Sequence, residues 1–321
     1  MKILVTGGAG FLGSFLVDKL LERGHELYAL DDVSSGAEGK IFHQYQNPRF
    51  RFIRDSVLNQ TILDNLISQC DLVYHLAGVV GVRHYVINPY AVLNVNVNGT
   101  QLVLQLAHKY NKKVCFASTS EIYGRNSKIP YAEDDDRVLG PTHIDRWCYS
   151  TSKAIGEHFC FAYKKLGLRM VIVRFFNVYG PRMDKLDTGR VVTIFLGQVL
   201  RGKPVTVIGD GTQTRCFTYV DDAIEGTIRA METPAAQGGV FNIGNNSEVT
   251  ILELAKRLIQ LSASSSAIQF VSQSQVYGNG YEDIPRRVPD IRKAEKTLGF
   301  RCTTPLDEGL KRTIAWFKEH E

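Results

Sequence analysis

The chain has 321 residues, of which 44% are hydrophobic and 22% charged, a composition that excludes a disordered protein. Its 38 basic and 33 acidic residues give a net charge of +5, and they are spread along the chain, so we expect no nucleic acid partner. No apolar run approaches the roughly 18 residues of a membrane span, so we expect no membrane partner. Six cysteines without pairing or metal-ligand spacing, and a sequence that opens on a strand pattern with no signal peptide, predict a cytoplasmic protein without a metal site.

The first half of the chain alternates apolar strand runs with helical periodicity. The predicted strands are 2–6, 26–30, 50–54, 71–76, 113–117 and 169–174. The predicted helices are about 11–23, 91–110 and 149–166. This alternation predicts an α/β fold, a doubly wound parallel sheet with helices on both faces.

After residue 176 the alternation breaks down. Helices are predicted at about 191–201, 221–231, 251–261 and 305–318, with strands at 205–208 and 240–243. We therefore expect a first domain over 1–176, with returning segments near 215–245, and a smaller C-terminal α+β lobe over 177–321.

The first strand runs into a glycine-rich turn that opens a helix. Gly7, Gly10 and Gly13 form a GxxGxxG pattern, in which the first permits a tight turn, the second a close approach of the backbone to a pyrophosphate, and the third close helix–sheet packing. The helix N-terminus, with Phe11 and Leu12, presents free N–H groups to the phosphates. The pattern predicts a Rossmann-type dinucleotide-binding domain.

Other strand ends meet the same crevice. Asp31 and Asp32 end the second strand, where a carboxylate can accept both ribose hydroxyls of the adenosine and repel a 2′-phosphate, so NAD is favoured over NADP. His75 is interpreted as a strand-end core residue. The remaining predicted cofactor contacts are Asp55, Ser56, Leu76, Ala77, Gly78 and Asn96.

Tyr149 and Lys153 form a YxxxK pattern on a predicted helix, which places both on one face. An ammonium near a phenol lowers its pKa from ~10 towards neutrality. Tyr149 could then take a proton from a substrate alcohol while hydride leaves for the nicotinamide. The two residues are therefore predicted to be catalytic and to contact the cofactor.

The fifth strand supplies their predicted partners in the segment 118–124 (STSEIYG). Thr119 could hydrogen-bond the substrate hydroxyl beside Tyr149. Glu121 would place a carboxylate at the cofactor crevice, which is costly to bury unless the group is paired or used. We therefore add Thr119 and Glu121 to the predicted catalytic residues.

Together with residues 174–182 (RFFNVYGPR), these motifs resemble the extended short-chain dehydrogenases that act on nucleotide sugars, the NAD-dependent epimerase/dehydratase family. The resemblance covers essentially the whole chain. It implies a tightly held NAD, a Thr/Tyr/Lys triad and a C-terminal lobe that holds a nucleoside diphosphate sugar. It also implies a homodimer in which helices 91–110 and 149–166 pair as a four-helix bundle.

Within the family the chain is closest to the UDP-glucuronate decarboxylases, including UDP-xylose synthases and the decarboxylase of the bacterial lipid A aminoarabinose pathway. The similar segments are Thr119–Ser120–Glu121, 83–89, 145–149, 180–184, 189–192, 209–217, 277–283 and 286–291. The resemblance implies that Arg287 holds the substrate carboxylate or diphosphate and Arg215 the diphosphate. The full set of predicted substrate contacts is Tyr85, Glu121, Asn177, Arg182, Arg190, Arg215 and Arg287.

The predicted reaction is decarboxylation of UDP-glucuronate through a 4-keto intermediate, giving UDP-xylose or the UDP-4-keto-pentose. Two other activities stay open, since residues 81–83 resemble uronate 4-epimerases and Thr-Ser-Glu also occurs in GDP-mannose dehydratases among the hexose 4,6-dehydratases. A 2-acetamido uronate substrate also stays open. A non-catalytic NAD-binding scaffold of the same fold is disfavoured by the intact Thr119, Tyr149 and Lys153 set.

Overall fold

The computed structural model describes residues 1–34, 36–272, 275–276 and 284–320. Its strands are β1 (Lys2–Thr6), β2 (Glu26–Leu30), β3 (Phe50–Ile53), β4 (Leu72–His75), β5 (Lys113–Thr119), β6 (Met170–Phe175), β7 (Val178–Tyr179), β8 (Val205–Ile208), β9 (Thr214–Cys216), β10 (Thr218–Tyr219), β11 (Val240–Ile243), β12 (Glu248–Thr250), β13 (Ile268–Val271) and β14 (Arg286–Arg287). The resemblance drawn from residues 277–283 lies outside the described residues.

The helices flank these strands. They are α1 (Phe11–Glu22), α2 (Gln60–Gln69), α3 (Val82–Ile87), α4 (Pro89–Leu93), α5 (Thr100–Lys109), α6 (Arg146–Lys165), α7 (Val191–Leu200), α8 (Val220–Glu232), α9 (Ile251–Leu261), α10 (Arg292–Leu298) and α11 (Leu306–His320). Within the described part of the chain, none of them is both long and apolar enough to cross a membrane.

Seven parallel strands form the central sheet in the order β11-β6-β5-β4-β1-β2-β3. Successive residues of a strand face opposite sides of a sheet. Ile3 and Val5 therefore pack into one core, and Leu4 packs into a second core on the other face. Because β1 buries both faces, its sequence is continuously apolar, as the prediction of a doubly wound Rossmann-type sheet requires.

The segments after β6 build small sheets of their own, with strand orders β12-β9-β14, β13-β8 and β10-β7. Apolar residues of α7, α9 and α11 extend one face of the central core into this smaller lobe; they are Val192, Phe195, Leu254 and Leu310. The division at residue 176 stays a prediction, while β11 returns from beyond β10 to pair with β6.

Two local differences from the predicted elements have physical reasons. Helix α2 was not predicted, although Asn59 caps it by accepting the Ile62 N–H and its apolar residues recur at helical spacing. The predicted helix 91–110 is interrupted by a π-helical segment, Asn94–Gly99. Such segments are common near functional sites, because the extra residue per turn re-aims the side chains.

Candidate active site

A cavity of about 540 Å³ opens at the carboxyl ends of the parallel strands, between the sheet and the lobe. This edge of an open α/β sheet is where ligands bind. Most of the predicted site residues line it: Gly7, Gly10, Phe11, Leu12, Gly13, Asp31, Asp32, Asp55, Leu76, Ala77, Gly78, Tyr85, Thr119, Glu121, Tyr149, Lys153, Asn177, Arg190, Arg215 and Arg287. Among the residues that the structure describes, those that line the cavity do not include Ser56, Asn96 or Arg182.

The glycine turn is packed too tightly for side chains. A Cβ on Gly13 would lie 1.9 Å from the Gly7 carbonyl oxygen, and one on Gly7, where φ is +74°, would lie 2.7 Å from the Ala77 nitrogen. Gly10 precedes α1 without a side-chain cap, so the first N–H groups of the helix face the cavity uncovered. This cradle fits the pyrophosphate of a dinucleotide.

Asp31 fixes the far side of this cradle. Its carboxylate accepts the backbone N–H groups of Ala9 at 2.9 Å and Val33 at 2.8 Å. Burial raises the pKa of Asp31, and these two donors oppose the rise. Lys40 lines the same wall, with a pKa lowered by burial. Lys40 was not predicted, because a single lysine in a loop carries no distinctive signal.

Asn96 lies beside the cavity and braces it. Its side chain accepts the Val79 N–H at 2.8 Å, donates to the Val79 carbonyl at 3.1 Å, and donates to the Ser152 hydroxyl at 3.1 Å. A Cβ on Gly78 would lie 2.9 Å from the Asn96 amide oxygen. Asn96 therefore fixes the Gly78–Val79 backbone against α6, and its contact with the cofactor stays a prediction.

Two other residues that are predicted to contact ligands also have partners within the protein. Arg182 donates to Asp18 on α1 at 2.6 Å and lies 4.6 Å from the centre of the Phe15 ring, so its charge is used in fastening the lobe to α1. Ser56 instead accepts the Leu58 N–H at 3.2 Å in the turn before α2. Neither side chain belongs to the described cavity wall.

Tyr149 lies in the middle of the cavity wall and is almost fully buried. Its ring stacks on Tyr85 with 6.0 Å between ring centres. Burial and the negative charge of Glu121 raise the pKa of Tyr149 to about 12, against the opposing effects of Thr119, Arg190 and Arg287. The surrounding residues therefore raise the pKa of Tyr149, whereas the sequence predicted that the Lys153 ammonium would lower it.

Lys153 follows Tyr149 by one turn of α6 and is also buried. Its ammonium donates to the Ala117 carbonyl oxygen at 2.9 Å, and burial lowers its pKa to about 8. A Cβ on Gly78 would lie 3.3 Å from the Lys153 ammonium. The glycine thus gives a bound molecule close access to Lys153.

Glu121 lies between two buried guanidinium groups. Arg287 contacts one carboxylate oxygen at 2.8 Å, and Arg146 contacts the other at 3.2 Å. Burial alone would raise the pKa of Glu121, but Arg287, Arg146 and Arg215 together lower it to about 2. The predicted buried carboxylate is thus paired and ionised at neutral pH.

The lobe brings further cations to this end of the cavity. Strands β9 and β14 pair with Arg215 and Arg287 in register, so both guanidinium groups reach the same wall. Arg287 is 5% exposed, and its Nε has no hydrogen-bond acceptor among the described residues. This wall is therefore suited to an anionic ligand.

Arg190 and Asn177 line the boundary between lobe and sheet. Arg190 pairs with Asp184 at 3.1 Å and lies 5.5 Å from the centre of the Phe11 ring, beside the glycine turn. Asn177 has a left-handed backbone, with φ +40°, and donates to the Cys216 carbonyl oxygen at 2.9 Å. Both are placed where a ligand could contact the two halves of the cavity at once.

The comparisons with known proteins agree with this geometry. A sequence profile of the NAD dependent epimerase/dehydratase family matches residues 3–244. UDP-N-acetyl-alpha-D-glucosaminuronate decarboxylase from Bacillus cytotoxicus is 41% identical over 320 residues, which cover 100% of this chain and 98% of that protein. UDP-glucuronic acid decarboxylase 1 from Danio rerio is 39% identical over 327 residues, which cover 100% of this chain and 74% of that protein.

Among solved structures, UDP-glucuronic acid 4-epimerase from Bacillus cereus, in complex with UDP-glucuronic acid and NAD, aligns with a TM-score of 0.90 and 34% identity over 100% of both chains. The fold, the position of the cavity and the sequence profile all indicate the same family. The chain belongs to the NAD-dependent epimerase/dehydratase family.

Proposed function

We propose that this protein is an NAD-dependent UDP-glucuronate decarboxylase that acts through a 4-keto intermediate. The observation that carries the proposal is Glu121, ionised between Arg287 and Arg146 in the same cavity as Tyr149 and the glycine turn. Relatives that match the whole chain at 41% and 39% identity bear decarboxylase names. The product is UDP-xylose, or the UDP-4-keto-pentose if the ketone leaves before reduction.

NAD is the cofactor of this family, and the glycine turn, Asp31 and Gly78 of this chain fit it. When bound, NAD supplies the hydride acceptor and a positive charge that lowers the pKa of nearby phenols. Asp31 offers its carboxylate to the ribose hydroxyls, and the N–H groups at the start of α1 hold the pyrophosphate.

Tyr149 takes the proton of the C4 hydroxyl group, and Thr119 holds the same oxygen through its own hydroxyl. A hydride leaves C4 for the acceptor that bound NAD would supply, and the resulting C4 ketone lies β to the C6 carboxylate. The C5–C6 bond then breaks, carbon dioxide leaves, and the electron pair is delocalised onto the ketone oxygen. The hydroxyls of Tyr149 and Thr119 stabilise this enolate, so the ketone itself is the electron sink, and C5 then takes up a proton from water.

Glu121 remains a carboxylate in this scheme because its pKa is held at about 2. It therefore orients the sugar ring or a water molecule as a hydrogen-bond acceptor and does not itself donate the proton that C5 requires. Arg287 contacts the C6 carboxylate or the diphosphate, and Arg215 the diphosphate, since guanidinium forks suit both anions. Tyr85, Asn177 and Arg190 complete the proposed substrate contacts.

The direct test is to incubate the purified protein with NAD and UDP-glucuronate while following product mass and NADH absorbance. Loss of carbon dioxide without lasting NADH supports a UDP-xylose synthase. The same loss with two further hydrogens removed and a rising NADH signal supports release of the 4-keto sugar. Loss of carbon dioxide only from UDP-N-acetylglucosaminuronate would move the substrate to the 2-acetamido sugar of the Bacillus cytotoxicus relative.

A UDP-uronate 4-epimerase is the second candidate, because the Bacillus cereus enzyme of that name shares the whole fold at 34% identity. An unchanged product mass with a new UDP-galacturonate peak would establish it and reject decarboxylation. Loss of water from a nucleotide hexose would instead indicate a 4,6-dehydratase.

We also propose a cytoplasmic homodimer with a cofactor domain at 1–176 and a substrate lobe at 177–321. The six cysteines are free thiols, which is usual in a reducing compartment. Tyr90 and Leu93 on α4 and Phe161 on α6 expose large apolar side chains, which a four-helix interface would cover. Light scattering after size-exclusion chromatography tests the dimer, and a monomer at micromolar concentration would reject it.

A further inference from the structure

Glu121 is tied to helix α6 at two points. The Ser150 hydroxyl donates to the Glu121 backbone carbonyl at 2.8 Å, and the Arg146 guanidinium contacts the side-chain carboxylate at 3.2 Å. Tyr149 is carried by the same helix, one turn beyond Arg146 and therefore on the same face. The distance between the Glu121 carboxylate and the Tyr149 phenol is thus set by one rigid element.

The second cation on Glu121 comes from a different part of the protein. Arg287 is in β14 of the lobe, and its guanidinium also approaches the Ser120 hydroxyl at 3.5 Å. Its Nε has no acceptor among the described residues, so Arg287 has donor capacity left for a substrate anion. A substrate that draws Arg287 away would leave Glu121 with Arg146 as its remaining direct ion-pair partner.

We propose that Arg146 is a positioning residue, which fixes the Glu121 carboxylate to the catalytic helix and thereby leaves Arg287 available to the substrate. The inference rests on the proposed function for its catalytic consequence. Arg146 acts through Glu121, so its removal cannot cost more turnover than the removal of the Glu121 charge. Arg146 is 3% exposed, which makes its ion pair with Glu121 strong and poorly screened by salt.

The charged groups around Glu121 determine the pKa of its carboxyl group. Arg146 faces the carboxylate from α6, Arg287 from β14 and Arg215 from β9, and Tyr149 faces it from α6. Removing one of the three cations raises the pKa of Glu121. Arg146→Met should therefore raise the pKa of the Glu121 carboxyl group, which carboxyl ¹³C NMR measures directly.

The experiment is a double-mutant cycle on the NAD-loaded protein with UDP-glucuronate. Arg146→Met is expected to lower kcat on the order of 100-fold in the wild-type background, and less than about twofold in the Glu121→Gln background. Arg146→Lys retains the charge and should recover part of kcat and keep the Glu121 pKa near its wild-type value. Arg257→Met, which removes an ion pair with Asp307 away from the described cavity wall, is the matched control and should leave kcat and the Glu121 pKa unchanged.

Equal losses from Arg146→Met in the two backgrounds would overturn the proposal, and so would an unchanged Glu121 pKa. If Arg146→Met fails to retain NAD, the same double-mutant cycle with Glu121→Gln is carried out with Arg146→Lys. Carboxyl ¹³C NMR of Glu121, assigned by its absence in Glu121→Gln, gives a readout without turnover. If the wild type decarboxylates no uronate, the proposed function is rejected. If the Glu121 pKa still rises in Arg146→Met, the role of Arg146 in fixing Glu121 is nevertheless supported.

Discussion

Glu157 and Arg174 form a doubly hydrogen-bonded ion pair in the interior, with Arg174 Nε and Nη2 at 2.9 and 2.7 Å from the two carboxylate oxygens. Glu157 is on α6, one turn beyond Lys153, and it also accepts the Ser118 hydroxyl at 2.5 Å. Ser118 precedes Thr119 on β5. Glu157 therefore ties the helix that carries Tyr149 and Lys153 to β6 through Arg174, and to β5, the strand that carries Thr119, through Ser118.

Breaking this pair should destabilise the protein strongly. Arg174→Met leaves the buried Glu157 carboxylate without its cation, so we expect the free energy of unfolding to fall by about 3–5 kcal/mol. Urea denaturation measures it. Arg23→Met is the control, because Arg23 pairs with Glu225 and Glu232 on the surface and should cost about 1 kcal/mol or less. Similar losses in the two variants would contradict this account of the pair.

Glu121→Gln should separate catalysis from cofactor binding. Glu121 lies at the arginine-rich end of the cavity, so NAD affinity should stay within about twofold while kcat falls by about 10²–10⁴-fold. Steady-state kinetics and calorimetric titration of NAD measure the two quantities. Glu308→Gln, which alters a surface pair with Arg312, should change neither. Full turnover by Glu121→Gln would remove Glu121 from the mechanism.

Gly13→Ala should damage NAD binding, since the new Cβ would lie 1.9 Å from the Gly7 carbonyl oxygen and force the turn open. We expect at least a tenfold loss of NAD affinity, roughly 1.4 kcal/mol or more. Gly39→Ala is a matched control in the loop beyond β2, where a Cβ meets nothing within 4 Å, and its NAD affinity should be unchanged. Calorimetric titration measures the NAD affinity of both variants. Normal affinity in Gly13→Ala would show that the tight glycine turn is not needed to bind NAD.

Lys153 should leave a signature in the pH dependence of stability. Its pKa is lowered from 10.5 to about 8 by burial, so between these values the unfolded chain binds more protons than the folded protein, and stability rises with pH. Relative to Lys153→Met, the wild type should therefore gain about 3 kcal/mol across this window. Denaturation of both proteins at several pH values measures the difference. A constant difference would show that Lys153 titrates normally.

Arg215 and Arg182 should behave differently although both were predicted to bind substrate. Arg215→Met removes a cation from the cavity wall and should raise KM for the UDP-sugar about tenfold or more. Arg182→Met should leave KM unchanged, because its charge is paired with Asp18. Initial-rate kinetics on the two variants decide the assignment, and a raised KM in Arg182→Met would restore the sequence prediction.

Features that depend on neighbouring residues were predictable from the sequence. The turn around Gly7 and Gly13 follows from backbone sterics, and the shared face of Tyr149 and Lys153 follows from helical spacing. His75 was interpreted as a core residue, and it is fully buried between the hydroxyls of Thr6 and Thr100, with its pKa lowered to about 3 by burial.

Features that depend on distant residues were not predictable. Lys40 reaches the cavity only through tertiary packing, and no local pattern distinguishes it from surface cations. Arg146 lies one turn before Tyr149 on α6, but its ion pair with Glu121 depends on a segment that is distant in sequence. The pKa of Tyr149 depends on burial and on Glu121, which β5 brings to it from a distant part of the chain. The sequence also could not show that the amide of Asn96, a predicted cofactor contact, is bonded to Val79 and Ser152.

The position of β11 in the sequence delays completion of the central sheet during synthesis. This strand completes the central sheet at the edge of β6, yet the ribosome synthesises it only after much of the smaller lobe. Until residue 243 emerges, the nascent chain carries β6 as an open edge whose backbone groups can pair with another chain. The central sheet therefore closes only after residues 177–239 have been synthesised, and a fragment that stops at residue 176 would keep that edge exposed.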